Sequence, residues 1–178
     1  MVSKRASLIR PSAIREAFEA AGKDAVNLGL GEPDIDPPEE ARRGIKEAVD
    51  NGFNHYGPVK GIDELRQALA EACGARYSVP LATKNVMITG SGTESLSAIF
   101  QALFDPGDEV LIPDPGFVLY RPDSILAGAR PVPYFLTESN HFEPDVDNIA
   151  ALVTDHTRGI LVNSPSNPTG GVATKEEV

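Results

Sequence analysis

Apolar positions recur along this chain at two periods, and their alternation lays out helices separated by strands. Ile14, Ala17, Phe18 and Ala21 fall at helical spacing, with Gly22 as a stop. "AVNLGLG" reads as a short strand entering the Gly-rich turn "GEPDIDPP". Asp36 then serves as an N-cap before Pro37, and Ala41, Ile45, Ala48 and Val49 mark one face of a helix ending at Asn51-Gly52. After the loop "NHYGPVKG", the residues Ile62, Leu65, Leu69, Ala72 and Cys73 form another apolar stripe, closed by Gly74.

From residue 85 the alternation sharpens. "NVMIT" predicts a strand, "GSG" a turn, and Thr93 to Phe104 a helix with Leu96, Ile99, Phe100, Leu103 and Phe104 facing inward. "EVLIP" and "RPVPYFL" predict strands around a helix at Tyr120 to Leu126, and a further helix spans Asp145 to Val153. "RGILV" (158–162) predicts a fully apolar strand. Strands spaced by helices mean β-α-β units, a mainly parallel sheet and right-handed crossovers. Thr174 and Glu177 in "TKEEV" form a capping-box start. That predicts a helix the sequence begins and does not complete, hence a chain truncated at residue 178.

Composition narrows the function. The 178 residues suit one domain, and 26 acidic against 16 basic residues give a net charge of −10, which argues against a partner bound through its phosphate backbone. No apolar run reaches membrane-span length, and the N-terminus lacks a signal-peptide core. Cys73 alone permits no internal disulfide and fits a reducing cytoplasm, most simply as a small core residue. His55, His141 and His156 show no ligand-like spacing, so no metal site is expected.

Three segments could carry chemistry. "ITGSGTES" (88–95) passes from a strand through a Gly-rich turn into a helix, where free N–H groups, the helix dipole and the Ser91 and Thr93 hydroxyls could cradle a phosphate. The same pattern also suits plain helix capping. Gly90, Gly92 and Ser95, with Asp114 at the next strand's end, come one residue short of a dinucleotide fingerprint. No lysine follows the turn, which excludes a triphosphate P-loop. Phe117 in "PDPGFVLY" stands past a strand's C-terminal end and could stack on a planar ring, or pack on its own helix. Asn167 in "NSPSNPTG" offers a donor and an acceptor between Pro165 and Pro168, which fix φ on both sides; a stiff surface turn is the plainer alternative.

Taken in order, "VNLGLGEPDIDPP", "NHYGPVKGIDELRQALA", "VMITGSGTESL", "ALFDPGDEVLIPDPGFVLY" and "GILVNSPSNPTGG" resemble the N-terminal half of class I/II aminotransferases, the fold-type I pyridoxal-phosphate enzymes nearest aspartate aminotransferase. The resemblance implies a three-layer α/β/α fold with a mainly parallel sheet, an incomplete large domain. Residues 1–30 would contribute to the small domain and 31–178 to the first part of the cofactor-binding large domain. It implies that Ser91, Gly92 and Thr93 bind the cofactor phosphate, and that Phe117 stacks on the pyridine ring. Asn167 would bond the ring's phenolic oxygen near the substrate carboxylate. Gly31 would meet that carboxylate through its N–H, and Tyr56 would reach the phosphate in the other subunit of a homodimer.

The family's Schiff-base lysine, its pyridinium-binding aspartate and its carboxylate-clamping arginine all lie downstream of "NPTG". The six lysines here (4, 23, 46, 60, 84 and 175) match none of those contexts. The resemblance therefore implies an inactive piece of an enzyme that moves an amino group from an amino acid to a 2-oxo acid. Lyases and synthases of the same fold, an effector-sensing regulatory domain and a dinucleotide-binding α/β unit are the competing readings.

Overall fold

The computed structural model describes residues 2–10, 13–21, 25–26, 28–29 and 31–174, with only the backbone of 13–15. Two compact units emerge, one formed by Met1–Ala13 with Ser91–Val178 and the other by Ile14–Gly90.

In the Ile14–Gly90 unit, α1 (Ala13–Ala20) opens the run of helices, followed by α2 (Glu39–Asp50) and α3 (Asp63–Tyr77). The expected strand at "AVNLGLG" does not form among its described residues, and Asn27 and Leu30 lie outside them. Pro38, not Asp36, precedes the first turn of α2, which ends at Asn51 as expected. Its apolar stripe faces outward, with Ile45 and Val49 exposed. Gly74 does not stop α3. An interior glycine costs only about 1 kcal/mol, and the helix runs on to a left-handed Ser78. Arg66 on α3 donates from Nε to the Val86 carbonyl and from Nη2 to the Thr83 carbonyl, fixing the segment that follows. "NVMIT" forms no strand. Its Ile88 amide donates to the Lys60 carbonyl of a nearby loop instead of to a neighbouring strand.

The other unit is built on three parallel strands in the order β2-β1-β3: β1 (Glu109–Asp114), β2 (Arg130–Phe135) and β3 (Thr157–Ile160). Leu111 stands opposite Val132 on β2 and Ile160 on β3. Because side chains alternate along a strand, Val110 and Ile112 point to one face and Leu111 to the other. On the first face α4 (Gly92–Leu103) and α5 (Tyr120–Ala127) bury Phe100, Tyr120 and Ala129 against Val110 and Ile112. On the second, Leu111, Val132, Tyr134 and Leu136 meet Ile149 and Leu152 of α6 (Val146–Leu152). This is the expected α/β/α layering around a parallel sheet.

The central strand is buried along five of its six positions, which is why it reads as a continuous apolar run. β3 departs from the fully apolar reading. Its positions alternate between half-buried and exposed, and it ends at Ile160. Ile99 and Leu103, expected to face inward on α4, are exposed because only the Leu96–Phe100–Phe104 side of that helix meets the sheet. Thr174 is described, but the rest of the helix expected from it falls on residues 175–178, outside the described ones.

Candidate functional site

α4 runs back toward the start of β1, so its N-terminus stands at the level of the strands' C-terminal ends. Ser91 is its N-cap: Oγ accepts from the Glu94 amide at 3.2 Å, and the Ser91 carbonyl accepts from the Ser95 amide. Gly92 opens the helix, and a Cβ built on it would meet nothing within 4 Å. Thr93 is exposed beside it. The 12-residue helix concentrates partial positive charge at this end. Glu94 in the same turn sets a carboxylate against that charge.

Phe117 lies in the loop between β1 and α5, and a tight reversal puts it there. A side chain on Gly116 would strike the Pro113 carbonyl, so the reversal requires glycine. Phe117 is half-buried and meets Tyr120 edge-on, with ring centroids 5.6 Å apart and planes at 71°. It packs on the same apolar cluster as Leu96, one turn into α4, and Leu161, just past β3. Burial alone pushes the Tyr120 phenol upward. Tyr134, whose hydroxyl donates to the Leu161 carbonyl at 2.7 Å, is pushed up to about 12 by burial, with Tyr120 adding to the effect.

The chain leaves β3 through Leu161, whose amide donates to the Leu111 carbonyl. It then enters "NSPSNPTG", where the Ser164–Pro165 and Asn167–Pro168 peptides are cis. Ser166 closes the turn in both directions, donating to the Gly171 carbonyl and accepting from the Gly170 amide, each at 2.8 Å. Gly171 presses on the Phe142 carbonyl, too closely for a side chain. Asn167 is exposed, and its backbone amide donates to Asn163 Oδ1 at 3.0 Å. The Ser166 hydroxyl beside it is buried without a hydrogen-bond partner.

Ser91, Gly92, Thr93, Phe117 and Asn167 thus share one unit, Phe117 and Asn167 in loops past the C-terminal ends of β1 and β3 and the other three at the start of α4, whose Leu96 packs on the same cluster as Phe117. Loops at that end of a parallel sheet are where ligands of open α/β folds bind. Gly31 and Tyr56 belong to the Ile14–Gly90 unit. Tyr56 is fully exposed, and nothing lies within 4 Å of a Cβ built on Gly31. Asp114, the acid of the dinucleotide reading, ends β1 exposed, with its carbonyl accepting from the Leu136 amide.

Sequence reasoning missed three contributors. Asn163 acts through its side-chain oxygen on the Asn167 amide and Gly116 through backbone geometry, and a lone Asn or Gly gives no distinctive pattern for either. Asp123, on α5, is buried with Oδ2 unpartnered, and desolvation raises its carboxyl above the ordinary range. Only its place on a helix flanked by Tyr120 and Ser124 hinted at burial. No cluster of three potential metal ligands occurs among the described residues, nor is any described helix long and apolar enough to cross a membrane.

The residues present suit a ligand carrying an anion and a flat ring: a capped helix N-terminus with exposed Gly92 and Thr93, an aromatic past a strand end, and an exposed amide beside a buried, unmatched hydroxyl. Known proteins resemble this chain in sequence and fold. The family profile described as aminotransferase class I and II matches residues 23–178. The chain is 42% identical over 177 residues to an aspartate aminotransferase of Pyrococcus horikoshii, covering 98% of this chain and 45% of that protein. It is 41% identical to aromatic-amino-acid aminotransferase 2 of Thermococcus litoralis, covering 99% of this chain and 46% of that one. Among solved structures, aspartate aminotransferase from Thermus thermophilus with maleate superposes with a TM-score of 0.93 at 34% identity, covering 99% of this chain and 48% of that chain. The chain therefore spans about half the length of the relatives it matches, and it belongs to the aminotransferase class I and II family.

Proposed function

We propose that this chain is the N-terminal part of a pyridoxal 5'-phosphate-dependent aminotransferase that moves an amino group from an L-amino acid to a 2-oxo acid. The observation that carries the reading is one apolar cluster on one face of the sheet, on which Leu96 of α4, Phe117 past β1 and Leu161 at the entry to the Asn167 turn all pack. When bound, the cofactor supplies an electron sink for carbanion chemistry at the substrate's α-carbon.

In this reading Ser91, Gly92 and Thr93 bind the phosphate through first-turn amides and hydroxyls, with the helix dipole favouring the anion. Phe117 covers one face of the ring, itself held by its edge-on contact with Tyr120. Asn167 donates from its amide to the ring's phenolic oxygen, and its position beside the site suits the substrate carboxylate as well. Gly31 offers its N–H to that carboxylate, and Tyr56 reaches the phosphate in the partner of a homodimer. The open surroundings of both residues are compatible with those roles. Residues 1–30 fall to the small domain and 31–178 to the large domain, in a cytoplasmic enzyme.

The lysine that would bond the cofactor is not among the six in this chain. Mixing the chain with pyridoxal 5'-phosphate and reducing with borohydride should give no stoichiometric adduct on a single lysine by mass spectrometry. Such an adduct would refute this reading. The polypeptide encoded by the whole gene should consume an amino acid only when a 2-oxo acid is supplied. Product formed without the oxo acid favours a lyase instead.

A further inference from the structure

We infer that Asn163 is a positioning residue for Asn167, an inference that rests on the functional reading of Asn167 given above. The turn has few ways to hold Asn167. Pro165 and Pro168 carry no N–H, so residues 165–168 contain two main-chain donors only. The Ser166 amide is committed to the Gly171 carbonyl. The second, on Asn167, goes to Asn163 Oδ1 at 3.0 Å. The Asn167 side chain is exposed, so packing contributes little to its aim. Its orientation depends on its own backbone, and that backbone is tied by Asn163.

Asn163 is in turn well anchored. It is half-buried and follows Leu161 by two residues, and Leu161 is fixed by its hydrogen bond to the Leu111 carbonyl of the central strand. A continuous path therefore runs from the most buried strand through Leu161 and Asn163 to the Asn167 amide. An N–H donor at this spot requires the oxygen of the Asn163 amide to face it. An aspartate would keep that acceptor, and an alanine would remove it.

The test compares Asn163→Ala and Asn163→Asp with the unsubstituted chain. Nitrogen relaxation of the Asn167 side-chain amide should show it ordered in the unsubstituted chain and in Asn163→Asp, and disordered in Asn163→Ala. The Asn167 backbone amide should exchange more slowly with deuterium than the other exposed amides of the turn in the unsubstituted chain, a readout that needs no variant to fold. With pyridoxal 5'-phosphate as probe, Asn163→Ala should bind about five- to tenfold more weakly, as for one lost hydrogen bond. The double variant Asn163→Ala, Asn167→Ala should bind no worse than Asn167→Ala, because one residue acts through the other. An Asn167 side chain equally ordered in Asn163→Ala, additive losses, or failure of Asn163→Asp to restore order overturns the inference. If the unsubstituted chain does not bind the cofactor, the functional reading falls, and the order of Asn167 still decides the role of Asn163.

Discussion

Asp123 and Ser166 are buried polar residues whose side chains each hold an oxygen without a hydrogen-bond partner. An unmatched buried polar atom costs about 1–3 kcal/mol, so each marks a place where the fold gives up stability. For Asp123 the cost depends on pH. Its carboxyl is raised by desolvation, so the folded state holds the proton more tightly than the unfolded chain does. Stability from this group is complete below the ordinary carboxyl range and falls as pH rises through the folded value. Replacing Asp123→Leu should remove the fall in stability that begins at the ordinary carboxyl value and ends at the raised folded one, and raise the urea midpoint at pH 8 by the equivalent of roughly 1 kcal/mol; an unchanged pH profile would show that the carboxyl is not the source. Glu109 behaves oppositely. The hydrogen bonds donated by Arg130 and by Thr154 Oγ1 hold it below its ordinary 4.5, so its contribution is present above that value and is lost as pH falls through the folded one. In Glu109→Gln the acid limb of the stability curve should lose part of its slope, measured by urea midpoints from pH 6 downward.

At the scale of elements, α4 joins stability and function in one residue. Ser91→Ala removes the cap on the Glu94 amide and should cost about 0.5–2 kcal/mol, while Ser91→Asp restores an equally good cap. If the same helix end holds a phosphate, the aspartate's charge opposes it. Ser91→Asp should then unfold like the unsubstituted chain and yet bind pyridoxal 5'-phosphate at least tenfold more weakly; equal binding by both would remove α4 from the site. The elements most legible in the sequence were those whose partners lie within it. Glu109–Asp114 is flanked by β2 and β3, covered on both faces, and "EVLIP" within it read correctly as a strand. Val86–Thr89 carries the same β-branched signal but makes no ladder, because pattern reports what a segment could pair with and not whether the pair is at hand. Gly74 misled for a related reason: a stop signal of about 1 kcal/mol is overridden when the turns on either side are held.

For the whole molecule, sequence motifs in register identified the family, and the candidate residues Ser91, Gly92, Thr93, Phe117 and Asn167 could be named before any geometry. What pattern could not provide was the supporting frame: the Asn163 tether depends on how the turn folds back on one side chain, the Gly116 reversal on backbone geometry, and the unmatched Asp123 on packing by the rest of its unit. Ile160 and Val162 at β3 and Phe135 at the end of β2 are exposed apolar residues, and unpaired strand edges bearing such residues invite association. The chain by itself should therefore sediment as concentration-dependent oligomers, whereas a sharp monomer boundary across a hundredfold concentration range would contradict this. The central claim is that the α4 N-terminus, Phe117 and Asn167 grip one ligand together. A two-dimensional amide NMR titration of this chain with pyridoxal 5'-phosphate tests it most directly. The account predicts saturable shifts concentrated at Gly92, Thr93, Phe117 and the Asn167 side chain, all fitting one affinity; shifts confined to one of these segments, or scattered over lysines elsewhere, would contradict it.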